Sequence, residues 1–185
     1  MNLPDDSEQL RKFLLQDNSR ANTDFVGNFI RQKPELIHQL WEIYLSNEEP
    51  VSRRAAWIID TVSESEPDWV TPYIPRLVDL LSTFRHDGMK RHALRMIARN
   101  EIPAEKQGAL LDICFEWLLS PAEAVAAKFY SMTILYTLSR TFPEIRDELI
   151  DSIEFQMAEG SPGFKNIGRK LLVKLYRETG LHGRR

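Results

Sequence analysis

The chain has 185 residues, 43% hydrophobic and 28% charged, with 24 Lys and Arg against 27 Asp and Glu for a formal net charge of −3. This is the balance of one soluble globular domain or one short repeat array. A single cysteine, Cys114, excludes a disulfide scaffold and a Cys-built zinc or iron–sulfur site, and eight glycines with ten prolines exclude a collagen-like chain. The most apolar stretch, 109–119, is broken by Asp112 and Glu116 and falls short of the roughly 20 residues of a bilayer span. The opening Met1-Asn2-Leu3-Pro4-Asp5-Asp6 is acidic where a secretory signal is basic and then apolar. The expectation is a cytoplasmic protein with no membrane partner.

From the N-terminus, helices are predicted over 5–16 and 22–32. The next covers 34–46, where Leu36, Ile37, Leu40, Trp41, Tyr44 and Leu45 recur at three and four. Helices follow over 50–64 and over 67–83, the latter carrying Ile74, Leu77, Val78, Leu80 and Leu81 at the same period, and then over 88–99, 103–119, 121–140, 143–159 and 162–178. Their starts coincide with Pro34, Pro50, Pro67, Gly88, Pro103, Pro121, Pro143 and Pro162, and proline in a first helical turn removes an N–H that has no partner there. No segment alternates as a strand does, so no sheet is expected.

The helices repeat. Arg53, Lys90, Lys128 and Lys165 are each followed three residues on by a small residue (Ala56, Ala93, Ser131, Gly168), and three further on by an aliphatic one (Ile59, Met96, Ile134, Leu171). The next position is apolar in three copies, Ile97, Leu135 and Leu172, but is Asp60 in the first. The small residue admits a neighbouring helix and the aliphatic one fills the layer behind it, so the pattern predicts stacked two-helix units. The leading Lys/Arg has two readings: a ladder to an acidic partner in the neighbouring repeat, or a binding group.

These residues resemble the HEAT/armadillo class of helical repeats, with a proline-led outer helix, a turn, and an inner helix opening Val51-Ser52-Arg53-Arg54-Ala55-Ala56 or Met89-Lys90-Arg91-His92-Ala93. The resemblance covers about 33–179 and implies one all-α domain, a right-handed α-solenoid of about five hairpins: a cap over 1–32, repeats over 33–65, 66–100, 101–142 and 143–179, and a frayed tail over 180–185. Cys114-Phe115-Glu116-Trp117-Leu118 and Val125-Ala126-Ala127-Lys128-Phe129-Tyr130-Ser131-Met132 are similar to a family of short bacterial helical-repeat proteins sometimes labelled adenylosuccinate lyase. The Ser-Ser-x-Met-Pro-x-Lys-x-Asn loop of that lyase superfamily does not occur in the chain, so the label does not carry over.

Other chemistry leaves little trace. His38, His86, His92 and His182 contain neither His-x-x-x-His nor His-Glu-x-x-His, so no metal is expected. There is no Gly-rich phosphate loop, Ser161-Pro162-Gly163 reads as an interhelical turn, and no cofactor is expected. Cys114, between Ile113 and Phe115, reads as a small core residue rather than a thiolate nucleophile. Trp57 and Asp60 sit one turn apart on an inner helix. Some HEAT-like folds that excise alkylated bases use an aspartate and aromatic side chains, so a glycosylase-like role for this pair is the alternative to Trp57 packing between repeats and Asp60 pairing with a neighbouring Arg or Lys.

The strongest functional signal is the division of charge. Outer-helix windows 33–49, 66–83, 101–119 and 143–160 hold 17 Asp/Glu against 4 Lys/Arg, and inner-helix windows 50–65, 84–100, 120–142 and 161–179 hold 5 against 14. Stacking like helices on like turns these totals into two opposed surfaces. Arg91, Arg95 and Arg99, spaced by four, form one stripe, with Arg54 before them and Lys170 and Lys174 at matching offsets in the last repeat; Phe129, Thr133 and Thr137 interrupt it. The expectation is a non-catalytic scaffold whose basic inner face, through Arg54, Arg91, Arg95, Arg99, Lys170 and Lys174, binds an acidic protein or peptide, with a nucleic-acid backbone as the other anionic partner. No catalytic residue is assigned, and a monomer or weak dimer is expected.

Overall fold

The structure, a computed structural model, describes residues 6–180; the expected tail beyond Gly180, with His182, lies outside the described residues. Among the described residues there are ten α-helices and no strand. The chain divides into two compact units, Met1–Glu101 and Ile102–Arg185. The division falls between the second and third predicted repeats.

The first unit holds α1 (Asp6–Gln16), α2 (Arg20–Gln32), α3 (Ile37–Leu45), α4 (Val51–Val62), α5 (Ile74–Leu80) and α6 (Asp87–Arg99). Helices α2, α4 and α6 stack in that order, α1 and α3 pack on α4, and α5 packs on α6. The core layer is aromatic: Trp41 stacks on Tyr73 with ring centroids 4.4 Å apart, Tyr44 stacks on Phe84 at 5.4 Å, and the Trp41 indole N–H donates to the Trp69 carbonyl at 2.9 Å. The second unit holds α7 (Ala104–Leu119), α8 (Val125–Leu138), α9 (Arg146–Met157) and α10 (Pro162–Thr179). Here α7 pairs with α8 and α9 with α10, while α8 also packs against α9 and α10.

Helix ends follow local chemistry. Ser19 and Ser161 cap α2 and α10 by accepting the Asn22 and Phe164 amides, and Gly180 closes α10 in the left-handed region at φ 70°. Three outer helices open with a 3₁₀ turn of one composition, Pro34-Glu35-Leu36, Pro67-Asp68-Trp69 and Pro143-Glu144-Ile145.

Two predicted helices differ from the observed ones. The span 67–83 is two 3₁₀ turns, a short α5 and a third 3₁₀ turn, because Pro67, Pro72 and Pro75 each withhold the N–H that would continue an α-helix. The helix expected from 121 starts at Val125, since the Ser120 hydroxyl takes the Ala122 amide into a turn and Ala124 is extended.

The repeated positions have the expected environments. Ala56, Ala93 and Ser131 have no exposed surface, Gly168 is buried, and Ile59, Met96, Ile134 and Leu171 are core. A Cβ at Gly168 would stand 2.8 Å from the Met157 sulfur and 3.3 Å from Ile153 Cγ2, so a larger residue there would displace these α9 side chains. Ala93, fully enclosed on α6, admits no larger side chain without displacing packed neighbours. Ala93→Leu should therefore destabilise the protein by about 1–3 kcal/mol, read as a lower urea midpoint with an unchanged helical circular-dichroism signature.

Candidate functional site

Asp60 is the polar break in an otherwise apolar column, and it has no exposed surface. A buried carboxylate is tolerated only when opposite charge and hydrogen bonds replace its water. Helix α6 supplies them. His92 Nδ1–H donates to Asp60 Oδ2 at 2.7 Å, Arg95 donates to the same oxygen at 3.0 Å, and Arg99 donates to Oδ1 at 2.5 Å. Arg95 also reaches Glu64 Oε1 at 2.5 Å, and Arg99 approaches that oxygen at 3.5 Å. Two carboxylates and two guanidiniums thus form a charge-balanced group between α4 and α6.

Burial opposes the ionisation of Asp60, but the His92 hydrogen bond and the charges of Arg99 and Arg95 outweigh it and hold the carboxyl below its usual value of 3.8. Arg99 does a second job. Its Nη2 donates to the Asp60 backbone carbonyl at 3.2 Å and to the Ser63 hydroxyl at 2.9 Å, placing a cation in the last turn of α4. Arg54 acts alike on α1, donating to the Leu14 carbonyl at 2.6 Å.

The expected stripe therefore separates by role. Arg54, Arg95 and Arg99 are part-buried or partnered and tie helices together. Arg91 is exposed, and its one hydrogen bond runs from Nη2 to His92 Nε2 at 3.2 Å. Lys170 and Lys174, in the second unit, are exposed on α10, where the Lys174 ammonium lies 5.4 Å from the centroid of the Tyr136 ring.

Among the described residues, three of the leading basic residues, Arg53, Lys128 and Lys165, make no ion pair with an acidic residue of the neighbouring repeat. Arg53 pairs with Glu49 one turn away at 3.2 Å, Lys128 donates to Gln156 at 3.1 Å, and Lys165 donates to the Ala158 carbonyl at 3.3 Å. Cross-helix ion pairs come from Arg95 and Arg99 on Asp60 and Glu64, and on the outer side from Arg76 on Glu42 at 2.6 Å. The sequence signal for the pairs of Arg95 and Arg99 was Asp60 itself, standing where other repeats carry Ile97, Leu135 and Leu172, because a charge in a core column demands cations from the adjoining helix. His92 carried no such signal.

Trp57 and Asp60 do not open onto a common space. Half-buried Trp57 lines a cavity of about 270 Å³ with Asn18, Arg53, His86, Arg91 and His92, whereas Asp60 is sealed behind His92, Arg95 and Arg99. Cys114 is buried, and burial pushes its thiol up to about 12, far from a thiolate nucleophile.

A family model described as HEAT repeat domain matches residues 10–175. The chain belongs to the HEAT repeat family. Comparisons with curated proteins and with solved structures each find no match. No helix of this HEAT chain is long and apolar enough, among the described residues, to cross a membrane.

Removing the Asp60 charge leaves Arg95 and Arg99 with only the exposed Glu64 as counter-ion. Asp60→Asn should cost about 3–5 kcal/mol, as breaking a buried pair does. The depressed carboxyl contributes stability above its unfolded value of 3.8, and that contribution is lost as pH falls through the lower folded value. Chemical denaturation across pH should accordingly show a gap between wild type and Asp60→Asn that is constant near neutrality and closes below 3.8. Replacing Arg91, Arg95 and Arg99 together with Glu should lower the melting temperature by several degrees, while Arg91→Glu alone leaves it nearly unchanged.

Proposed function

We propose that this HEAT chain is a non-catalytic binding scaffold whose basic inner-helix residues receive an acidic protein or peptide. HEAT repeats commonly serve as protein-interaction scaffolds, since stacked helix pairs present extended surfaces. The observation that carries the reading is that the inner-helix basic residues are not all consumed by internal pairing. Among the described residues Arg91 and Lys170 are exposed and make no ion pair, and Lys174 is exposed above Tyr136. Unpaired cations on a layer with 14 Lys/Arg against 5 Asp/Glu attract an anionic surface at long range.

An enzymatic reading has no comparable support. The glycosylase alternative needs Asp60 and Trp57 to face one substrate, and the Asp60 oxygens are already taken by three donors.

The test uses the purified full chain on immobilised polyglutamate, on immobilised single-stranded DNA, and with alkylated DNA in solution. The reading expects retention on polyglutamate that weakens as salt rises from about 50 to about 200 mM, with a further loss in the double variant Lys170→Glu, Lys174→Glu. Retention on DNA alone, release of an alkylated base, or fumarate production from adenylosuccinate would contradict it.

A further inference from the structure

The cavity beside Trp57 is built around a cation held in place from below. Asp60 Oδ2 takes the proton of His92 Nδ1 at 2.7 Å, which leaves His92 Nε2 as an acceptor, and Arg91 Nη2 donates to it at 3.2 Å. A buried carboxylate thus fixes an imidazole, and the imidazole fixes one edge of an exposed guanidinium. The remaining Arg91 donors have no protein acceptor among the described residues.

The charge in the cavity can be counted from its hydrogen bonds. Arg53 is offset by Glu49 at 3.2 Å. His86 Nδ1 accepts the Gly88 amide at 3.0 Å, so that nitrogen carries no proton and the ring is uncharged, with Nε2–H left as a donor. His92 is uncharged for the same reason, because Arg91 can only donate to its Nε2. One positive charge is left over, on Arg91.

We propose that the Arg91 cavity is the seat of a single carboxylate side chain, a glutamate or aspartate of the acidic peptide partner; the inference rests on the scaffold reading above and names the residue it recognises. A carboxylate is planar and singly charged, which matches both the fork of a guanidinium and the single surplus charge, whereas a phosphate dianion would be left half-neutralised. About 270 Å³ suits one side chain rather than a cofactor, and half-buried Trp57 offers the apolar wall on which its methylenes lie.

The experiment titrates the full chain with N-acetylated, C-amidated hexaglutamate by calorimetry. Hexaglutamine, a phosphoserine peptide and oligothymidylate serve as comparators, and the variants are Arg91→Gln and Lys170→Gln. The expected result is binding of hexaglutamate but not hexaglutamine, weakened about tenfold or more by Arg91→Gln at an unchanged melting temperature, and little changed by Lys170→Gln. Equal affinity in Arg91→Gln overturns the cavity as the seat while leaving the scaffold reading intact. Tighter binding of the phosphoserine peptide, lost in Arg91→Gln, overturns the choice of carboxylate. Failure of hexaglutamate to bind overturns the cavity and the acidic-peptide reading together, and oligothymidylate binding in its place assigns the basic face to nucleic acid.

Discussion

A carboxylate with no access to water stays ionised only where cations reach both of its oxygens, and Asp60 imposes that demand on the centre of the first unit. Helix α6, which stacks on α4, meets it with His92, Arg95 and Arg99, three residues within two turns of one helix. Meeting the demand sets several other features. It ties α6 to α4, brings Arg99 onto the Asp60 carbonyl near the end of α4, recruits Glu64 as a second anion, and leaves Arg91, the residue before His92, with its guanidinium oriented but uncompensated. A hydrophobic residue at position 60 would pack the same column without specifying any of this, which is the role a buried ionic group plays when it selects one packing arrangement over its neighbours.

The basic bias of the inner helices is consequently two things at once. Part of it is internal: Arg54 on the Leu14 carbonyl, with Arg95 and Arg99 on Asp60, are interhelix fasteners whose charges are balanced locally. Arg91 and Lys170, with Lys174 above Tyr136, instead keep their charge exposed. A count of Lys and Arg along a helix face cannot separate the two, because an exposed edge of a guanidinium and a buried contact coexist in one long side chain. Arg95 and Arg99 keep 36% and 32% of their side-chain surface while both are bound to Asp60.

Much of the architecture was legible in the sequence, and for a physical reason: what decides it is local. Proline positions, three-and-four spacing, and the Lys/Arg-x-x-small-x-x-aliphatic register located the helices and assigned Ala56, Ala93, Ser131 and Gly168 to the contacts where they are found. The region 67–83 was less legible because Pro72 and Pro75 act against an apolar period that otherwise reads as continuous helix. The candidate site was legible only in outline. The stripe 91, 95, 99 was visible as spacing, but the partners of Arg95 and Arg99 lie 31 to 39 residues away and depend on how α6 is rotated on α4, which no local pattern encodes. The one clue was an aspartate at a repeat position that is apolar in the other copies, and its consequence is that Arg95 and Arg99 of the expected stripe are tied to α4.

The central claim is that Asp60 and the α6 arginines act as one unit, and a double-mutant cycle measures that directly. Unfolding free energies of wild type, Asp60→Asn, Arg99→Gln and the double variant, taken at neutral pH and low salt, should give a coupling of about 1–3 kcal/mol, since each single change strands the other partner. Additivity within about 0.3–0.5 kcal/mol would mean the two residues contribute independently, and would contradict the account.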